Sequence, residues 1–253
     1  MNDLFSIKGK VTLVSGGSRG IGRAIALACH QAGAQVIVSS RDAAALQATG
    51  LNYLVCDITD AAQIQRAVDN IVDQYGRLDV LFNVAGVNMR HAAETFPVEK
   101  LDAILAVNVR GNFLMARTCG KIMLEQAQGK IINIASLHTH LSLAGVSGYG
   151  ASKGAIGSMT RALAVEWAAH NVQVNAIAPG FIRTDLNKAL WEDAKIRGWA
   201  EDRTPAHRLG EPPDLIGAAI FLASAASDFI TGQVLYVDGG LTAGSTWPLV
   251  VPR

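Results

Sequence analysis

The sequence predicts a doubly wound α/β fold, a parallel sheet of about seven strands with helices on both faces. Short apolar runs alternate along the chain with longer segments of helical spacing, which is typical of βαβ units. Several of the short runs are almost continuously apolar, as expected for strands that are buried on both faces of a parallel sheet. Half of the 253 residues are hydrophobic, so the chain can supply the core that two covered faces require.

The predicted elements follow one another without a break in composition. The strands are Val11–Ser15, Gln35–Ser40, Leu54–Cys56, Val80–Val84, Lys130–Ala135, Gln173–Ala178 and Gln233–Val237. The main helical segments are Gly22–Ala32, Ala61–Tyr75, Asp102–Gln126, Gly150–Ala169 and Asp214–Ala225. No linker, low-complexity segment or internal repeat divides the chain, so residues 1–253 are predicted to form a single domain.

One segment, Arg183–Pro213, interrupts the alternation. It is longer than an ordinary connection between a strand and a helix, and it mixes tryptophans, charges and prolines. Long insertions in compact domains are often functional lids. We therefore expect it to cover a substrate site, with a plain surface excursion as the alternative.

Composition argues against several classes of partner. The net charge is +1 and the two signs are interspersed, so no basic surface for nucleic acid or acidic membranes is expected. No apolar stretch reaches the ~18 residues of a membrane span, and the first residues lack the pattern of a signal peptide. The three cysteines, Cys29, Cys56 and Cys119, have no disulfide or metal spacing. A cytoplasmic protein without a bound metal is the prediction.

A glycine-rich turn, SGGSRGIG, follows the first predicted strand and leads into a helix. Glycines allow the backbone to approach a pyrophosphate, whose charge is received by the N-terminus of the following helix. A purely structural turn is the alternative, but the position between strand and helix is the one that dinucleotide binding requires. The predicted cofactor contacts in this turn are Gly16, Ser18, Arg19, Gly20, Ile21 and Gly22.

The end of the second strand distinguishes NADP from NAD. An acidic residue there would bind the ribose hydroxyls of NAD, but the chain has Ser39, Ser40 and Arg41, with no carboxylate before Asp42. A guanidinium binds a 2′-phosphate as a planar fork. NADP is therefore the preferred cofactor, and NAD remains possible if Arg41 and Arg19 are only solvated surface charges.

A second set of residues indicates acid–base chemistry. In YGASK, Tyr149 and Lys153 are four positions apart, on one face of a predicted helix, and a nearby cation lowers the pKa of a phenol. Ser136 follows the apolar run of the fifth strand, at the sheet edge where such folds bind ligands. Asn108 is a polar amide inside an amphipathic helix, where it is locally unfavourable.

Together these motifs resemble the short-chain dehydrogenase/reductase family, in its single-domain branch. The resemblance runs from Lys10 to about Gly240 and includes SGGSRGIG, CDIT, NVAG, LAVNV, NIAS, YGASK, NAIAPG and VDGG. It implies a Rossmann-type sheet of order 3-2-1-4-5-6-7 and an NAD(P)-dependent oxidoreductase that interconverts an alcohol and a carbonyl. Val84 departs from the family's usual NNAG, which removes one amide from a loop that stabilises the central sheet.

The resemblance also implies roles for individual residues. Tyr149 would be the general acid/base, and Ser136 would hydrogen-bond the substrate oxygen. Lys153 would bind the nicotinamide ribose and lower the pKa of Tyr149, while Asn108 would hold a water that links Lys153 to solvent. Asp57 would meet the adenine edge, with Ile58 beside it. Asn83, Ala85 and Gly86 would line the adenosine side, Pro179, Gly180 and Ile182 the nicotinamide pocket, and Thr184 would contact the carboxamide.

The substrate is predicted to be a small polar molecule. Its candidate contacts are Asn88, Arg90, His138 and Trp191. Arg90 would pair with a carboxylate or be merely solvated, and His138 would touch a sugar hydroxyl or have no ligand. The opening MNDLFSIKGK, the segment VNMRH and the stretch from TDLNKALWED to RTPAHRLGEP resemble gluconate 5-dehydrogenases and 2-deoxygluconate dehydrogenases, which implies a sugar or sugar-acid substrate.

Two other functions remain open, and the resemblance also implies an oligomeric state. The chain would otherwise be a 3-oxoacyl thioester reductase or, in another class, a non-catalytic NADP(H)-binding sensor. The family resemblance implies a homotetramer or dimer, with Asp102–Gln126, Gly150–Ala169 and the last strand at the interface. The apolar tail TWPLVVPR would dock on a neighbouring subunit or cover its own surface.

Overall fold

The computed structural model describes residues 4–245, apart from the side chain of residue 186. Its strands are β1 (Val11–Ser15), β2 (Gln35–Ser40), β3 (Asn52–Val55), β4 (Val80–Asn83), β5 (Gly129–Ile134), β6 (Val172–Pro179) and β7 (Val234–Val237). They form one sheet in the order 3-2-1-4-5-6-7, and every neighbouring pair is parallel. The predicted fold class and strand order are confirmed. The tail TWPLVVPR lies outside the described residues.

The helices cover both faces of this sheet. They are α1 (Gly20–Gln31), α2 (Ala43–Gln47), α3 (Ala61–Tyr75), α4 (Val98–Leu105), α5 (Asn112–Glu125), α6 (Ser147–Trp167), α7 (Lys188–Glu192), α8 (Ala194–Arg203) and α9 (Ile216–Ala223). The prediction of one continuous helix over Asp102–Gln126 is wrong. A π-helical segment, Ala106–Gly111, separates α4 from α5, because the Asn112 amide donates to the carbonyls of Val107 (3.1 Å) and Asn108 (2.9 Å).

The core divides into two layers, one on each face of the sheet. Successive residues of a strand point to opposite faces, and Leu13 and Val14 of β1 accordingly belong to different buried clusters. The first cluster contains side chains of α3 and α5, and the second contains side chains of α1 and α9. The three cysteines are free thiols buried in these layers. Burial raises the pKa of Cys29 to about 12, which keeps it an unreactive thiol.

The parallel register brings the ends of four strands together. Ser15 pairs with Ser39 on one side and with Asn83 on the other, and Asn83 pairs with Asn133. The loops that follow these strands therefore leave the sheet at the same edge, where ligands bind in open α/β sheets. No helix within residues 4–245 is both long enough and apolar enough to cross a membrane.

The predicted lid is a helical excursion with its two ends tied together. Ile182 and Gly210 form a parallel β-bridge, and Arg183 N donates to Gly210 O at 2.8 Å. Between them lie α7 and α8, which periodicity did not predict. Arg208 donates to both carboxylate oxygens of Asp214 (2.7 and 2.8 Å), which holds the returning chain.

Candidate active site

A cavity of about 910 Å³ lies at the carboxyl edge of the sheet. It extends from the glycine-rich turn to the lid, and nearly all the predicted site residues line it. They are Gly16, Ser18, Arg19, Gly20, Ile21, Gly22, Ser40, Arg41, Asp57, Ile58, Ala85, Gly86, Asn88, Arg90, Ser136, His138, Tyr149, Lys153, Pro179, Gly180, Ile182, Thr184 and Trp191. Within the described part of the chain, Asn83 and Asn108 are the predicted residues that do not line it.

The glycine-rich turn has the shape that a pyrophosphate requires. Gly16 has a φ of 75°, and a Cβ there would lie 2.7 Å from Ala85 N. A Cβ on Gly22 would lie 2.2 Å from Gly16 O, so the start of α1 packs directly on the turn. No side chain caps α1 at Arg19, and its first turn has no acidic residue. Its N–H groups are therefore left for an anion, and the turn fits the predicted dinucleotide.

At the predicted adenosine end of the cavity, the cation Arg41 lies beside the carboxylate of Asp57. Arg41 lies 3.9 Å from Asp57 and is 69% exposed, so this contact holds it only weakly. Asp57 is better fixed, because one of its oxygens accepts from both N and Oγ1 of Thr59 (2.9 and 2.8 Å). Ser40 Oγ accepts from Asp42 N at 3.2 Å. The guanidinium of Arg41 can therefore turn toward a ligand phosphate.

Tyr149, Lys153 and Ser136 meet at the other end. Lys153 is buried. Its Nζ donates to Ile134 O at 2.6 Å and lies 5.7 Å from the centroid of the Tyr149 ring. Desolvation lowers the pKa of Lys153 to about 8. Burial raises the pKa of Tyr149, while a hydrogen bond with Ser136 and the charge of Arg90 act against that rise. The expected effect of Lys153 on the Tyr149 pKa stays a prediction.

Asn108 lies behind the cavity wall, fully buried. Its Oδ1 accepts from Val87 N and its Nδ2 donates to Val87 O, both at 2.8 Å, and Nδ2 also donates to Ser152 Oγ at 3.0 Å. The carboxamide thus joins the loop after β4 to helix α6. The water relay that was expected of Asn108 stays a prediction.

Asn83, which was predicted to line the adenosine side, is buried in the sheet and does not line the cavity. Its Nδ2 donates to Asn112 O (2.8 Å) and Asn133 Oδ1 (3.2 Å) inside the sheet. Asn133 in turn donates to Thr160 Oγ1 at 3.0 Å. This chain of amides supports the central sheet, and Val84 beside it packs with the apolar layer instead of contributing a further amide.

Two positioning residues escaped the sequence analysis. Asn112 also donates to Ala85 O at 3.0 Å, so a single amide holds the loop after β4 and the π-helical segment. Ser152 receives the bond from Asn108 and donates to Tyr149 O at 2.7 Å. Ser152 lies inside the motif YGASK and Asn112 lies three positions after LAVNV, so their nearness to motif residues was the available signal.

The substrate end combines a tryptophan, a histidine and a cation. Trp191 is buried against Phe181, with ring centroids 5.8 Å apart. The His138 ring meets the Tyr149 ring edge-on at 5.6 Å, and burial, together with the charge of Arg90, lowers its pKa. Asn88 and Arg90 are exposed on the wall. Among residues 4–245, no carboxylate forms an ion pair with Arg90.

The family model described as Enoyl-(Acyl carrier protein) reductase matches residues 16–242, from the glycine-rich turn to the end of the fold. This chain belongs to the short-chain dehydrogenase/reductase family. It is therefore an NAD(P)-dependent oxidoreductase, as its motifs predicted.

Its relatives within the family are similar along their whole length. A 5-keto-D-gluconate 5-reductase of Escherichia coli (strain K12) is 41% identical, over 95% of this chain and 98% of the relative. A 2-dehydro-3-deoxy-D-gluconate 5-dehydrogenase of Pseudoalteromonas atlantica is 40% identical, with the same coverage. The crystal structure of a gluconate 5-dehydrogenase from Burkholderia cenocepacia J2315, in complex with NADP and tartrate, is 37% identical with a TM-score of 0.92, over 96% of this chain and 98% of that one.

Removing the Tyr149 hydroxyl tests its role. We expect Tyr149→Phe to lower kcat/KM about 10²- to 10⁴-fold, because a general acid/base contributes that much, and to leave cofactor binding unchanged. Initial rates and a fluorescence titration with NADP measure the two effects. Tyr53→Phe, an exposed tyrosine of β3, is the matched control. Turnover by Tyr149→Phe at the wild-type rate would refute the assignment.

The buried ammonium of Lys153 makes stability depend on pH. Its pKa is about 8 in the folded protein and about 10.4 when unfolded. Below both values the folded state bears the cost of a buried charge; as pH rises from about 8 to 10 it releases its proton first, and the free energy of unfolding increases. We expect a gain of about 2–3 kcal/mol over this window, relative to Lys153→Met. Urea unfolding measures it, and equal pH profiles for the two proteins would contradict it.

Proposed function

We propose that this protein catalyses the NADP-dependent interconversion of a secondary alcohol and a ketone on a sugar acid of the gluconate type. The observation that carries the substrate class is Arg90, a cation on the cavity wall that pairs with no carboxylate of residues 4–245. A substrate carboxylate would supply the missing partner through a charge-assisted hydrogen bond.

Arg90 would hold the substrate carboxylate near the groups that carry out the reaction. Its charge lowers the pKa of both Tyr149 and His138, so a carboxylate bound by Arg90 would lie near the acid/base group. Asn88, His138 and Trp191 share this part of the wall and would contact the hydroxyls. The Escherichia coli and Pseudoalteromonas atlantica relatives are named for reactions at C5 of gluconate and of its ketodeoxy derivative, which supports the same substrate class.

NADP is favoured by the ends of strands β2 and β3. Ser40 and the weakly held Arg41 stand where a carboxylate would select NAD, and the related Burkholderia enzyme was crystallised with NADP. Asp57 and Ile58 would contact the adenine, and Ala85 and Gly86 the adenosine side. Pro179, Gly180, Ile182 and Thr184 would hold the nicotinamide, and the turn from Gly16 to Gly22 the pyrophosphate.

Tyr149 and Ser136 would both act on the substrate oxygen, each with a different role. The nicotinamide, when bound, supplies or accepts the hydride. Tyr149 would give a proton to the oxygen as the ketone is reduced and take it back in oxidation, while Ser136 would donate a hydrogen bond to the same oxygen. Lys153 would bind the ribose, and Asn108 would keep the loop after β4 against α6. The lid, Arg183–Pro213, would exclude water through Trp191.

The protein would act as a homotetramer or dimer in the cytoplasm. Phe113 on α5, Val165 on α6 and Leu235 on β7 are large apolar side chains exposed on the proposed interface elements. The three unpaired, buried cysteines suit a reducing compartment. The relatives do not favour the thioester reductase or the non-catalytic sensor, since they are named as sugar-acid oxidoreductases.

The substrate class is tested with purified protein and both cofactors. Gluconate, 5-ketogluconate, 2-dehydro-3-deoxygluconate and 2-deoxygluconate are compared with glucose and an acetoacetyl thioester. Arg90→Gln should raise KM for the sugar acids about 10- to 100-fold, the value of a hydrogen bond to a charged group. Arg66→Gln, an exposed arginine of α3, is the control. Turnover of the thioester alone, or an Arg90→Gln effect equal for glucose and gluconate, would overturn the proposal.

The cofactor preference is tested at Arg41. We expect Arg41→Ala to raise KM for NADP about 10- to 100-fold, since a charge-assisted contact to the 2′-phosphate is lost. KM for NAD, which lacks that phosphate, should not change. The ratio of kcat/KM for NADP to kcat/KM for NAD therefore measures the contribution of Arg41. Arg66→Gln serves again as control. A parallel loss with both cofactors would show that Arg41 does not select NADP.

A further inference from the structure

Thr139 joins the two elements that carry the reacting hydroxyls. It ends the short 3-10 turn Leu137–Thr139 that follows Ser136. Its Oγ1 accepts from Ser136 N at 3.4 Å and donates to Lys153 O, on helix α6, at 3.1 Å. Ser136 Oγ accepts from His138 N at 3.2 Å, which closes the turn. One hydroxyl therefore bonds both to the residue that would orient the substrate and to the helix that holds Tyr149.

Helix α6 is shaped to receive Thr139. Gly157 lies one turn after Lys153, and a Cβ at Gly157 would come 2.6 Å from Thr139 Cγ2. The missing side chain lets the methyl group approach the helix closely enough for the hydroxyl to reach the carbonyl of Lys153. Thr139 is thus fixed by its methyl group and its hydroxyl together.

This link matters because Ser136 and Tyr149 come from different elements. Ser136 follows β5 and Tyr149 belongs to the first turns of α6, so their separation depends on how the turn sits on the helix. Hydroxyls that act on one substrate oxygen must be held within about 0.5 Å of their productive positions.

We propose that Thr139 is a positioning residue that sets the separation of the Ser136 and Tyr149 hydroxyls through its contact with helix α6. The inference rests on the proposed acid/base role of Tyr149, not on the identity of the sugar acid. Ser136 also lowers the pKa of Tyr149, so the spacing of these two residues bears on the acid/base group. A change at Thr139 should therefore affect the chemical step, and not the binding of NADP at the glycine-rich turn.

The experiment compares Thr139→Val, which keeps the shape and loses the hydroxyl, with Thr139→Ser, which keeps the hydroxyl. We expect Thr139→Val to lower kcat about 10- to 100-fold, the effect of a displacement near 1 Å, with KM and the NADP Kd unchanged. Thr139→Ser should recover most of the rate. The matched control is Thr118→Val on α5, whose hydroxyl donates only to Leu114 O among the described residues and should leave kcat unaffected.

Two further measurements distinguish a failure of this inference from a failure of the proposed substrate assignment. Rates are taken with any carbonyl compound that the wild type reduces, so failure of the sugar-acid assignment shows as wild-type inactivity on those acids alone. Crystal structures report the distance from Ser136 Oγ to Tyr149 Oη without any activity, and it should widen in Thr139→Val and in Gly157→Ala. An unchanged distance and kcat in Thr139→Val, or equal losses in the valine and serine variants, would overturn the proposal.

Discussion

The parallel direction of the seven strands is the constraint on which the site depends. Because all carboxyl ends meet at one edge, the glycine-rich turn after β1, Arg41 after β2 and Ser136 after β5 open into one cavity. No single loop carries the site. Any change of register between two strands would shift one loop against the next and separate groups that are far apart in sequence.

Buried amides hold those loops behind the cavity. The side chains of Asn83, Asn108 and Asn112 bond mainly to main-chain groups, with Asn108 also donating to Ser152 on α6. Together they tie the loop after β4 to the π-helical segment and to α6. A buried amide left without partners is costly, so these bonds hold the loops in one arrangement. The π-helical segment is the departure from regular helix that places Asn108 and Asn112 within hydrogen-bond distance of the loop after β4.

Charge is distributed unevenly over the cavity wall. Arg90 pairs with no described carboxylate, Arg41 has one weak contact, and the Lys153 ammonium is buried against a carbonyl. Arg90 and Arg41 are exposed and solvated, which leaves them accessible to an anion, whereas the buried Lys153 ammonium bears a desolvation cost. A substrate carboxylate and a 2′-phosphate are the anions that match two of them, and a phenolate would match the third. The buried charge of Lys153 is thus the one of these three that lowers the stability of the protein.

The sequence by itself determined the fold class, and the family resemblance of its motifs implied the strand order and the candidate residues of the reacting end. Near-continuous apolar strands and glycines at special positions are local properties, and Tyr149 and Lys153 share a helix face at fixed spacing. The tertiary structure decided what sequence spacing does not encode: that Asn83 faces the sheet, that Asp102–Gln126 divides at a π-helical segment, and that Thr139 bonds to α6. These three outcomes depend on hydrogen-bond partners contributed by distant segments, and such partners are chosen only when the chain packs.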